Sequence, residues 1–156
     1  SGGSAPCIDG TGMQNYFNSP EVRAAFNVDT KLKAGWEFCN LRVNSLYDWT
    51  WDSMVPFVEE LSKYYRGLYY SGDVDLAVNT LGTEASVLAL NQTVVENWRQ
   101  WHLPGSKQVA GMIRRTPSVS FVTIRGAGHM TPHKTMGRPA ETLYMFGQFL
   151  KNLPFA

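Results

Sequence analysis

Two strand-to-turn junctions constrain this chain most. The apolar run from Val119 to Ile124 reads as a buried strand and leads into Arg125-Gly126-Ala127-Gly128-His129-Met130. Upstream, Leu68-Tyr69-Tyr70-Ser71 reads as a second strand and leads into Gly72-Asp73-Val74-Asp75. A histidine on a glycine-flanked turn just past a strand belongs at the C-terminal edge of an open α/β sheet, where such sheets carry their sites. Glycines at 126 and 128 give the backbone freedom for a tight turn there. Carboxylate followed by histidine is also the order of the last two members of a Ser, Asp, His triad in one hydrolase class. No Gly-x-Ser-x-Gly occurs in the sequence. The chain therefore reads as the C-terminal part of an active site whose nucleophile lies elsewhere.

Other local signals are consistent with a partial α/β fold. Ser19-Pro20-Glu21-Val22 starts a short helix that ends near Asn27: Ser caps, Pro takes the first helical position and Glu the first turn. Residues 28–50 read as irregular, with Trp36, Phe38, Tyr47 and Trp49 as packing anchors. A helix from Ser53 through Tyr64 would bury Val55, Val58, Leu61 and Tyr65 on one face. A helix over Thr83–Leu90 starts at a Thr cap. Gln108–Arg115 and Ser118–Arg125 read as a hairpin joined at Thr116-Pro117. Pro139 opens a last helix whose apolar stripe is Leu143, Phe146, Phe149 and Leu150. The pattern α, β, α, β-hairpin, α has too few strands for a complete doubly wound sheet and fits the last third of one.

His129 is the candidate general base. Asp73 and Asp75 compete as its carboxylate, and spacing alone leaves both open. His102 and His133 lack such a setting and read as surface residues. No Cys-x-x-Cys or His-x-x-x-His spacing supports a metal, and no Gly-rich loop followed by Lys-Ser/Thr supports a nucleotide phosphate. No cofactor is expected. A formal charge of +1 argues against nucleic acid or an anionic membrane as a partner. No apolar run approaches the roughly 18 residues of a membrane span. Residues 1–6 read as a flexible segment left by proteolytic processing. Cys7 and Cys39 admit an internal disulfide, two thiols or bridges to another chain. Asn91-Gln92-Thr93 is a glycosylation sequon. Together, the cysteines and the sequon favour a secretory, lysosomal or vacuolar compartment.

The stretches Tyr70 to Ala77 and Phe121 to Met130 resemble the two C-terminal signature regions of the serine carboxypeptidases. Tyr16 to Arg23, Trp36-Glu37-Phe38-Cys39-Asn40, Gln108 to Gly111 and the last helix resemble other parts of that family, so the likeness runs from Pro6 onward. It implies an α/β-hydrolase fold, with a mixed sheet flanked by helices. Residues 7–156 would form the C-terminal portion of a single domain completed by a separate large chain. By position, the catalytic carboxylate falls on Asp75, the base on His129 and a leaving-group subsite residue on Met130. The family's interchain disulfides to the large chain would use Cys7 and Cys39. The substrate would be a peptide with a free C-terminal carboxylate, cleaved at acidic pH, and family members are often dimeric. Val78 stands where many members carry Cys. The turn Thr131–Pro139 is longer than the family's Val-Pro-x-Asp-x-Pro and lacks its acidic residue.

Two other functions fit the same resemblance. Plant members transfer acyl groups from glucose esters or cleave hydroxynitriles, and the triad residues alone do not separate these reactions from peptide hydrolysis. A non-catalytic role, as protective partner of other lysosomal hydrolases, would use exposed aromatic loops such as those of Trp98 and Trp101. A simpler account has these two tryptophans packing against the large chain.

Overall fold

The structure, a computed structural model, describes residues 10–156. Cys7 and the segment 1–6 lie outside the described residues. The chain divides between Asp52 and Ser53 into two compact units.

The first unit is helical and small. Helix α1 spans Thr11–Asn18, α2 spans Pro20–Ala25 and α3 spans Leu41–Ser45. As the sequence implies, Ser19 caps α2 by accepting from Val22 N, with Pro20 at the first helical position. Asn18 ties α1 to Trp36 through both amide atoms, accepting from Trp36 N at 2.7 Å and donating to Trp36 O at 2.9 Å. Trp36 is half-buried against Phe17, with ring centroids 4.8 Å apart. The other expected anchors differ. Phe38, Tyr47 and Trp49 are exposed, because this unit is too small to enclose them. Residues 41–45, expected to be irregular, form α3, which Asn40 caps through Val43 N.

The second unit holds the sheet. Helix α4 covers Val55–Leu61, β1 Gly67–Gly72, α5 Thr80–Leu88, β2 Glu96–His102, β3 Val109–Arg115, β4 Val119–Ile124 and α6 Pro139–Lys151. The strand order is β1-β4-β3-β2. β1 runs parallel to β4, while β4–β3 and β3–β2 are antiparallel, so the sheet is mixed. Side chains alternate across β4. Val122 and Ile124 join Trp101, Ile113 and Met145 in one cluster, on the side of α6. Val119 and Phe121 join Val87 and Leu90 of the α5 side in another, against which Val55 and Val58 of α4 also pack. Both faces of the sheet are thus covered by helices.

Several elements depart from the pattern-based expectation. Strand β2 carries no alternating signal in the sequence, because register shifts at Glu96/Arg99 and Trp101/His102 break its period of two. Helix α5 starts a turn earlier than Thr83; its cap is Asn79, whose side chain accepts from Gly82 N at 2.8 Å. Helix α4 ends at Leu61, and Leu61 and Tyr65 are exposed. In α6 the core residue is Met145, whereas Leu143, Phe146 and Leu150 of the expected stripe face outward. Trp98 and Trp101 form no exposed interface. Trp101 is 0% exposed, lies parallel to Tyr144 and donates to Thr123 O at 3.1 Å. Trp98 packs edge-on to Phe121 and donates to Glu84 at 3.0 Å. Among the described residues, no helix is long and apolar enough to cross a membrane.

Candidate active site

The parallel pairing of β1 with β4 builds the site. Gly72 at the end of β1 lies in register with Ile124 at the end of β4. Parallel neighbours send their following turns out at the same edge, so the Asp73–Asp75 turn emerges beside the Arg125–His129 turn. The two are laced together by backbone bonds: Asp73 N to Ile124 O and Val74 N to Ala127 O, each 3.2 Å. Gly72 permits this approach, because a Cβ there would collide with the carbonyls of Ala127 and Gly128. Gly126 takes φ of +68°, a conformation that disfavours side chains. Gly128 does not.

The two aspartates divide the work. Asp73 is exposed, and its Oδ1 accepts from Gly126 N at 2.6 Å, pinning the histidine turn. Asp75 is buried, with its side chain only 7% exposed. Its Oδ1 accepts from Ala77 N at 2.8 Å and Val78 N at 3.2 Å. Its Oδ2 lies 2.9 Å from His129 Nδ1. Burial alone pushes the Asp75 carboxyl up. The hydrogen bonds from His129, Ala77 N and Val78 N outweigh that effect and hold it below the ordinary carboxylate range.

An ionised Asp75 accepts the Nδ1–H of a neutral imidazole and leaves Nε2 carrying the lone pair. The His129 side chain is 61% exposed. The arrangement is an exposed imidazole held at Nδ1 by a buried carboxylate. Met130, beside it, is exposed too. Val78 contributes its backbone amide to Asp75, a bond that does not depend on which side chain occupies the position.

The remaining candidates fall away from the Asp75–His129 pair. His102 lies in β2, with Nδ1 3.1 Å from Gln108 O. His133, read from sequence as a surface residue, is half-buried and organises the turn after Met130. The sequence signal for it was the polar turn itself, in which a ring nitrogen serves as an acceptor for amides two and three residues on. Cys39 is exposed and makes no disulfide among the described residues. Asn91 is exposed at φ of +50°, just past α5. Among the described residues, no cluster of three or more His, Cys, Asp or Glu side chains is arranged to hold a metal.

Comparison with known proteins identifies the family. The serine carboxypeptidase family model matches residues 1–152. The lysosomal protective protein of Mus musculus is 37% identical over 155 residues, covering 96% of this chain and 32% of the relative. Serine carboxypeptidase-like 20 of Arabidopsis thaliana is 34% identical over 151 residues, covering 95% of this chain and 29% of the relative. The chain thus spans about a third of the length of the curated relatives it matches. The crystal structure of a prohormone-processing carboxypeptidase from Saccharomyces cerevisiae superposes with a TM-score of 0.63 at 17% identity, over 86% of this chain and 31% of that one. That likeness shows a shared α/β-hydrolase fold. With the family model matched almost from end to end, the chain belongs to the serine carboxypeptidase family.

Proposed function

We propose that this chain supplies the base and carboxylate of a peptide-cleaving site whose nucleophilic serine lies on a large chain of the same precursor. The observation that carries the reading is the 2.9 Å contact between His129 Nδ1 and the buried Asp75 Oδ2. His129 Nε2 takes the proton from the serine hydroxyl as it attacks the last peptide carbonyl. The imidazolium then protonates the leaving amino acid and, restored to neutral, activates water to free the acyl group. Asp75 fixes the tautomer and stabilises the imidazolium. Met130 lines the subsite of the departing residue. Cys7 and Cys39 bridge to the large chain, and the whole enzyme works in the lysosome or a related compartment, as the name of the mouse relative suggests for that protein.

The test is Asp75→Asn and His129→Ala in the full-length enzyme, assayed on an N-blocked dipeptide. Each is expected to cut kcat/KM by roughly three to four orders of magnitude, because triad members act as a unit. Near-normal rates in either variant would sink the assignment. Running a glucose ester in parallel distinguishes peptide hydrolysis from acyl transfer.

A further inference from the structure

His129 and Met130 are exposed, so core packing does not fix them. Their positions depend on the backbone on either side. That backbone is strapped by the turn that follows. Met136 O accepts from Gly128 N at 3.0 Å, Met130 O accepts from His133 N at 2.9 Å, and Thr131 O accepts from Arg138 N at 2.7 Å. The strap is itself closed by one ring nitrogen. His133 Nδ1 lies 3.3 Å from Thr135 N, 3.3 Å from Met136 N and 3.2 Å from the Thr135 hydroxyl. A backbone N–H only donates, so Nδ1 carries the lone pair and the ring proton sits on Nε2. Each contact is long, and the three donors share the single in-plane lone pair of Nδ1. Gly137 N closes the same turn onto His133 O at 2.9 Å.

We infer that His133 is a positioning residue for the reaction: its Nδ1 caps the 133–136 turn and so holds the backbone that presents His129 and Met130. The link is short. Nδ1 fixes the Met136 amide, the Met136 carbonyl fixes Gly128, and Gly128 precedes the base. This inference rests on the function proposed above. Misplacing a base by about an ångström costs up to roughly a hundredfold in rate, so a loosened strap acts on the chemical step.

The discriminating pair is His133→Asn and His133→Gln in the full-length enzyme. Asn places an oxygen where Nδ1 stands, whereas Gln places its oxygen nearer the position of Nε2. Both are polar and suit a half-buried turn. His133→Gln is expected to lower kcat about tenfold with a smaller change in KM, and His133→Asn to stay within about twofold of the parent. Thermal unfolding of both variants and His129→Ala are run alongside. Gln equal to the parent overturns the inference, as does Asn as defective as Gln. A change in Tm with kcat untouched also overturns it, since His133 would then be merely structural. If His129→Ala is inactive while His133→Gln is normal, only the positioning role fails. If His129→Ala is active, the proposed function fails and takes this inference with it.

Discussion

A buried carboxylate with both oxygens committed makes a firm support for an exposed imidazole. Asp75 is held by two amides on one oxygen and by His129 on the other, and its ionised form is favoured in the fold. Linkage gives that preference a sign. A carboxyl whose pKa is lowered by folding binds fewer protons in the native state, so it adds stability above its unfolded pKa and loses it as pH falls through the folded value. The Tm gap between the parent enzyme and Asp75→Asn is therefore expected to be full at neutral pH and to narrow below about pH 4, the ordinary range for aspartate. A gap that holds constant down to about pH 2 would rule out a lowered Asp75 pKa. Sequence spacing left Asp73 and Asp75 equivalent because both lie in one turn. The register of β1 on β4 separates them: it sets Asp73 under the Gly126 amide and Asp75 beside the imidazole. A register is a long-range pairing, and residue order does not encode it directly.

Elements were legible where one strong local rule decided them. β4 is an apolar run with a hairpin turn before it, and Ser19-Pro20 is a complete helix start. β2 was hidden because its bulges disrupt alternation. Thr83 reads as a cap because it lies one turn after Asn79, the actual cap; its hydroxyl instead donates back to Asn79 O at 3.3 Å. The end of α5 carries a prediction. After Ala89 the chain turns through Asn91 in the left-handed region, with Asn91 and Thr93 exposed. Gln92 between them is half-buried. It donates to the Ser62 hydroxyl at 2.8 Å and accepts from the Ser118 hydroxyl at 2.9 Å. The sequon is thus anchored at its middle residue and open at the two that matter for modification. Protein secreted from eukaryotic cells is expected to lose mass on treatment with an N-glycosidase, and Asn91→Gln to abolish that loss at this site. An unchanged mass in the parent would reject Asn91 as a glycan site.

At the scale of the molecule, the described chain leaves apolar surface uncovered in an ordered way. α6 is apolar on two sides: Met145 fills the core, while Leu143, Phe146 and Leu150 lie outside. A single stripe does not describe α6, because a helix with two apolar faces has no unique inward direction. Among the described residues β1, which carries the turn to Asp75, pairs only with β4, and Tyr70 on it is exposed. Exposed apolar surface of this kind suits contact with further protein, as the proposed large chain would supply. Under the proposed two-chain reading, Cys39 would be a point of attachment: it is exposed and stands one residue before the Asn40 cap of α3. The corresponding prediction concerns the native protein isolated under non-reducing conditions. Its mass is expected to exceed that of 156 residues by a chain released only on reduction. Cys39→Ser should weaken that link and Cys39→Ser with Cys7→Ser should abolish it, leaving any remaining association to the apolar surfaces alone. Recovery of this chain by itself, with Cys7 bridged to Cys39, would overturn the proposed two-chain arrangement.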